Sequence, residues 1–368
     1  MNQDQIEQTI GGRIRLDAIT LDHRAAHLPE KMRDRFVWLG SYLRDECAYN
    51  MDILTSRFKA LKIDHDKTTW GKILRGLWDK NADGTPSNSP CLSEAKFCQA
   101  VDQLKNDALI KEQGGRIPFV KTAVAERIFN YIKLKRTPDR VNKFGVIIGE
   151  TGSQKTSSLV QYCSENNHYT CVRVEAPERP SMSQFMTDLA RAYGYSEQSS
   201  YGKKKAFVLE AVTNKRTIIV ENVQRLYDER YKDKQPIFSF LQKLQEDTGC
   251  TVIMSATGDF ARKMKDAMNE GFLEQFAGRC GGPHEFLELP KHAPEEDVLM
   301  IAEAFKLRDA QRHLKELCAI SQMYGRIRVL FRALQKAQLR AKARGNALNI
   351  EHVREVVKDS KFEMKDQA

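Results

Sequence analysis

From Arg33 to about Leu109 apolar residues recur at helical spacing, and no run reads as a strand. Leu39–Cys47 and Met51–Leu61 are short amphipathic units; a turn follows at Lys62–Asp66, and Lys67 opens another helix that Asp66 or Thr68 can cap. On that helix Lys67, Thr68, Thr69 and Lys72 fall on the exposed side, while Trp70, Ile73 and Leu74 fall on the inner side. Two short helices and a tight turn leading to a polar-faced third helix read as a helix-turn-helix, with a plain helical bundle as the alternative. Residues 1–32 are polar and weakly periodic, and the reading for them is a mobile arm. A loop at 81–90 and a helix from Ser93 to Lys105 complete a domain at 33–110, and 111–120, with its Gly-Gly and Pro118, is the linker.

Beyond the linker the pattern changes. An amphipathic helix from Thr122 to Leu134 leads to a short apolar run, Val146 to Ile148, that reads as a buried strand. Further strands at 169–174, 217–220 and 251–254 alternate with helices at 182–193, 203–212 and 237–246. That alternation predicts an α/β parallel sheet for a domain at 121–290. After Pro290 the chain is helical again to about Val357, giving a small helical lid at 291–360 and a tail at 361–368.

The first strand runs into Gly149-Glu150-Thr151-Gly152-Ser153-Gln154-Lys155-Thr156-Ser157, which then opens a helical pattern. Strand, glycine-bearing turn and helix start are the layout of a phosphate-binding P-loop. Backbone N–H groups surround the phosphates, Lys155 reaches the β and γ oxygens, and the Thr156 hydroxyl ligates Mg²⁺. Gly149, Lys155 and Thr156 fit the G-x-x-x-x-G-K-[ST] pattern, but Gln154 stands at its last glycine and is expected to crowd the loop. A P-loop protein that hydrolyses nucleotide also needs an acid ending a second buried strand. The strand at 217–220 ends in Glu221-Asn222, where an Asp-Glu pair is usual. Glu221 is long enough to reach the metal shell. Asn222 can orient a water but cannot accept its proton, so the expectation is ATP binding with slow or lost hydrolysis.

Composition narrows the partners. The chain of 368 residues has a formal charge of +10, which suggests a polyanion. The charge is uneven: residues 1–110 are neutral, whereas 111–290 and 291–368 each carry +5. No apolar run is long enough for a membrane, the start lacks signal-peptide character, and the eight cysteines lack zinc or disulfide spacing. The expected setting is the cytoplasm, with no membrane partner.

The order of the P-loop, Ile218-Ile-Val-Glu-Asn-Val-Gln-Arg-Leu226, Val252-Ile-Met-Ser-Ala-Thr257, Gln275-Phe-Ala-Gly-Arg279 and Gly325-Arg-Ile-Arg328 resembles an AAA+ ATPase core. More narrowly, it is similar to the transposition ATPases of the phage Mu B and TnsC group, which join a helix-turn-helix domain to such a core. By that likeness Thr257 stands at sensor 1, Arg279 at the arginine finger offered to a neighbouring subunit, and Arg328 at sensor 2. The resemblance implies ATP and Mg²⁺ as cofactors and ATP-driven assembly into a homo-oligomer or helical filament. It also implies double-stranded DNA and a transposase as partners. Lys203, Lys204 and Lys205, with Arg191 on the same side, would then track a phosphate backbone in the filament pore. A basic row from Arg328 to Arg344 is the next candidate for that surface. The rival readings are a helicase-loader-like remodelling ATPase and a nucleotide-gated regulator that binds specific DNA.

Overall fold

A computed structural model describes residues 14, 16–80, 90–113, 119–138, 140, 142–166, 170–195, 198–227, 235–260, 262, 276, 278–323 and 326–365. The chain divides into two compact units, one of residues 1–116, 167–170 and 189–211, and one of 117–166, 171–188 and 212–368.

The described part of the first unit is helical: α1 (Ala18–Ala26), α2 (Glu30–Asp45), α3 (Met51–Ala60), α4 (Lys67–Leu74) and α5 (Glu94–Gln113). Asp17 caps α1, and Ala18, Leu21 and Ala25 are buried, so the arm expected over 1–32 holds a packed helix. At nine residues it is too short for its periodicity to stand out from the polar stretch before it. The reason for close packing is visible at Gly40, where an added Cβ would lie 2.6 Å from Leu21 Cδ2. Residues 1–13 and 15 of that arm lie outside the described residues. Asp66 caps α4 by accepting from Thr69 N, and Trp70, Ile73 and Leu74 are fully buried beneath it. The Trp70 ring stacks on Phe58 of α3 at 4.0 Å, fixing the two helices across their turn.

The second unit is built on a wholly parallel five-stranded sheet: β1 (Phe144–Ile148), β2 (Cys171–Glu175), β3 (Thr217–Glu221), β4 (Thr251–Ala256) and β5 (Leu287–Glu288). The spatial order is β2-β3-β4-β1-β5. Strands β1, β3 and β4 are buried along their whole length, as expected of central strands covered on both faces. Helix α6 (Ala123–Lys135) precedes β1, α7 (Lys155–Glu165) follows the P-loop, and α10 (Pro236–Thr248) leads into β4. In the chain α8 (Met182–Ala192) follows β2 and runs across the division at residue 189, and α9 (Tyr201–Ala211) belongs to the first unit.

The C-terminal helices α11 (Glu295–Ala304), α12 (Leu314–Ser321), α13 (Ile327–Ala343) and α14 (Ile350–Lys365) share an apolar core that includes Leu317, Leu330, Leu334 and Val353. The lid is tied into the same unit by Asp297, a fully buried carboxylate on α11. It accepts from the N–H groups of Ala123 at 2.7 Å and Val124 at 3.2 Å, which are orphan donors of the first turn of α6.

Candidate nucleotide site

At the C-terminal end of β1 the chain turns through Gly149, where a Cβ would sit 2.8 Å from Ser153 Oγ. The turn needs a left-handed backbone at Gly152 (φ 85°) and at Gln154 (φ 66°) before Lys155 starts α7. Gln154 does not crowd the loop. Its side chain is buried, its Oε1 accepts from Thr122 Oγ1 at 2.8 Å, and its Nε2 donates to Val120 O at 3.0 Å. Thr122 in turn caps α6 by accepting from Ala125 N. The amide therefore anchors the P-loop to the segment leading into α6. Ser157 Oγ donates back to Gln154 O, which steadies the first turn of α7.

Lys155 Nζ lies folded over the loop, donating to Gly149 O, to Glu150 O and to Ser153 Oγ. Burial pushes its ammonium down to about 8; Glu150 and Glu221 oppose that shift, while Arg326 and Arg328 add to it. Thr156, the next residue, donates its hydroxyl to Glu221 Oε2 at 2.7 Å. The P-loop hydroxyl and the strand-end acid are thus brought together as the motifs required. Their oxygens fit Mg²⁺, which takes few protein ligands and completes its octahedron with phosphate oxygens and water.

Glu221 is only 2% exposed, and its other oxygen accepts from Arg173 Nη1 of β2 at 2.6 Å. No motif pointed to Arg173. Asn222 follows in a left-handed conformation (φ 58°, ψ 40°), a region asparagine tolerates better than other side-chain-bearing residues. Its Nδ2 donates to Glu175 Oε1 at 3.0 Å, and Arg225 Nη1 donates to the same oxygen at 3.0 Å. Parallel pairing of Glu175 with Glu221 sets these groups side by side at the sheet's C-terminal end, where α/β folds bind ligands.

The remaining expected residues divide. Thr257 directly follows β4, and a Cβ at its neighbour Gly258 would lie 3.3 Å from Glu150 Oε1, so this strand end closes on the P-loop. Arg328 is exposed on the first turn of α13. It is Arg326, two residues earlier, that approaches the loop, with Nη2 3.6 Å from Glu150 Oε2. Arg326 holds an unusual backbone (φ 55°, ψ −136°) and also donates to Lys291 O. Arg279 is half-exposed and ion-paired with Glu246 of its own chain. Gln275 and Gly325 lie outside the described residues.

Of the three lysines on α9, Lys203 and Lys205 are exposed but Lys204 is buried, which removes it from any phosphate-tracking surface. Arg191 is exposed. The basic row on α13 is partly neutralised by α14, through Arg340 with Asp359 at 2.7 Å and Arg344 with Glu355 at 2.9 Å. Among the described residues no helix is long and apolar enough to cross a membrane.

Two family models match the chain: an AAA domain over residues 139–264, and the C-terminal domain of the Mu B transposition protein over residues 289–359. No curated protein sequence matches. Among solved structures, Cdc6p from Pyrobaculum aerophilum is 14% identical with a TM-score of 0.46, covering 67% of this chain and 68% of that one. The Aeropyrum pernix Orc1 protein, solved in complex with DNA, is 14% identical with a TM-score of 0.47, covering 64% of each chain. Domain III of the Thermotoga maritima replication initiation protein DnaA is 17% identical with a TM-score of 0.44, covering 66% of this chain and 94% of that one. The two matched regions take in the P-loop core and the C-terminal helices, and the chain is an AAA+ protein resembling the Mu B and TnsC group of transposition ATPases.

Proposed function

We propose that this chain binds ATP with Mg²⁺, assembles on double-stranded DNA as an oligomer or helical filament, and recruits or activates a transposase. One observation carries the reading: a P-loop whose Thr156 meets the strand-end Glu221 at 2.7 Å is followed by a Mu B-type C-terminal domain. Lys155 and the loop's N–H groups hold the triphosphate, Thr156 and Glu221 hold the metal, and Thr257 and the Arg326–Arg328 turn sense the γ-phosphate. Magnesium there neutralises charge on the phosphate oxygens. Arg279 reaches the nucleotide of a neighbouring subunit once released from Glu246. Helices α3 and α4 serve as the helix-turn-helix, and Lys203, Lys205 and Arg191 contact the DNA backbone without reading bases.

Electron microscopy of the protein on arbitrary-sequence duplex DNA tests this reading. Filaments or rings are expected with ATP, and none with Lys155→Ala. Assembly indifferent to nucleotide, or confined to one DNA sequence, would overturn it. Lys203→Ala with Lys205→Ala should flatten the salt dependence of DNA binding by up to about 0.9 log units per lost phosphate contact.

A further inference from the structure

Asn222 occupies the place where a hydrolytic strand end carries its second carboxylate, and an amide cannot take a proton from water. The missing group is next door on another strand. Glu175 ends β2, in register with Glu221, and its Oε1 lies 3.0 Å from Asn222 Nδ2. A carboxylate on residue 222 and the carboxylate of Glu175 would therefore occupy neighbouring positions at the same sheet end. The Glu175 side chain is 55% exposed. Arg225 donates to that same Oε1, so both bonds fall on one oxygen. Among the described residues Oε2 has no partner and is available to accept from a water. Alternation along β2 puts Arg173 on the same face, where it grips Glu221, while Glu175 grips Asn222. Two residues of one strand thus flank the whole β3 terminus.

We propose that Glu175 is the catalytic carboxylate for nucleoside triphosphate hydrolysis in this chain, with Asn222 and Arg225 as its positioning residues. The acid then comes from β2, and the amide that steers it from β3. In the reaction a water oxygen bonds to the γ-phosphorus as the bond to the β–γ bridging oxygen breaks. The electron pair leaves with the diphosphate, and the water's proton passes to Glu175 Oε2. The inference rests on the nucleotide-binding reading above and is separable from it by experiment.

Binding and turnover of Mg·ATP are to be measured on the full-length chain with saturating duplex DNA. Wild type is expected to turn over, and Glu175→Gln to lose about 10²–10⁴-fold in rate while binding nucleotide as tightly as wild type. That split between rate and affinity separates a catalytic group from a structural one. Equal rates for Glu175→Gln and wild type, or a wild type that binds Mg·ATP without turning it over, would overturn the assignment. Failure of wild type to bind nucleotide would instead defeat the broader reading. A second arm exchanges the residues: Glu175→Asn with Asn222→Glu returns the carboxylate to β3, at a left-handed position that glutamate tolerates less well than asparagine. This pair should turn over at least tenfold faster than Glu175→Asn alone, and equal rates would count against Glu175.

Discussion

Gln154 Oε1 accepts a hydrogen bond from Thr122 Oγ1 at 2.8 Å, so the residue that breaks the P-loop's glycine pattern is also the one that fastens the loop down. Its Nε2 takes the carbonyl of Val120, and Thr122 caps the helix whose next two N–H groups are held by Asp297 of the lid. P-loop, helix start and lid are joined by one buried chain of hydrogen bonds. Such a network is worth more whole than in part, because each orphaned member loses its solvation without compensation.

Gln154→Ala should therefore destabilise the fold by about 1–3 kcal/mol, from buried partners left unsatisfied. Gln154→Gly loses the same bonds but relieves the left-handed backbone by roughly 1–2 kcal/mol, and should fall less. Denaturant unfolding of the three proteins checks the ranking; an alanine variant as stable as wild type would mean the amide contributes nothing.

Nucleotide affinity should fall as the medium becomes alkaline. Burial sets the Lys155 ammonium near 8, against 10.5 for a free lysine. Phosphate binding requires the charged form, so affinity for ATP should weaken above pH 8 by up to about tenfold per pH unit. Stability runs the other way at this residue. Between about pH 8 and 10.5 the unfolded chain binds more protons at Lys155 than the folded chain, so its contribution to stability rises with pH across that window. Titration calorimetry at several pH values checks the first effect, and a Lys155→Met control should remove both.

The backbone at Arg326 lies at φ 55°, ψ −136°, a conformation suited to glycine. Strain of this kind costs on the order of 1–3 kcal/mol and persists where surrounding contacts enforce it. The ion pair with Glu150 at 3.6 Å is partly exposed and repays little of that. Arg326→Gly should raise stability by about 1 kcal/mol while weakening ATP binding. A variant that is both less stable and unimpaired in binding would show that the arginine is not there for nucleotide.

Arg173 gives the buried Glu221 its charged partner at 2.6 Å. Arg173→Gln should destabilise the nucleotide-free protein by about 2–3 kcal/mol, below the value for a fully buried pair because the arginine is a third exposed. With Mg·ATP the loss should shrink, since a metal at Thr156 and Glu221 supplies the missing charge. Thermal unfolding with and without Mg·ATP measures the difference; an equal loss in both states would place Arg173 outside the site.

The P-loop, Glu221 and the alternation of strands and helices were legible because each is a local pattern of fixed spacing. Lys155, Thr156 and Glu221 meet as that spacing required. Glu175, Arg173 and Arg225 were not legible from motifs, because their roles depend on which strand lies beside β3 and in what register. One signal was available: Arg173 and Glu175 place charges at alternate positions near the end of a strand otherwise apolar. The burial of Lys204 could not be read from a basic triplet, which looks the same whichever way the helix turns. The edge strand β5 has only two residues, too few for any periodicity. Arg326 differs from its neighbour Arg328 by a backbone angle that no composition rule anticipates.

Strand β2 ends the sheet order, so beyond it no further strand continues the ladder among the described residues. An edge strand is a template on which another chain can add itself, the first step of aggregation. Valines at 172 and 174 fill the buried positions, while Arg173 and Glu175 place opposite charges between and after them. A stray strand pairing there would have to bury or displace both charges, which makes the edge self-protecting. The two side chains beside the end of β3 thus also guard the sheet edge against pairing with a foreign strand.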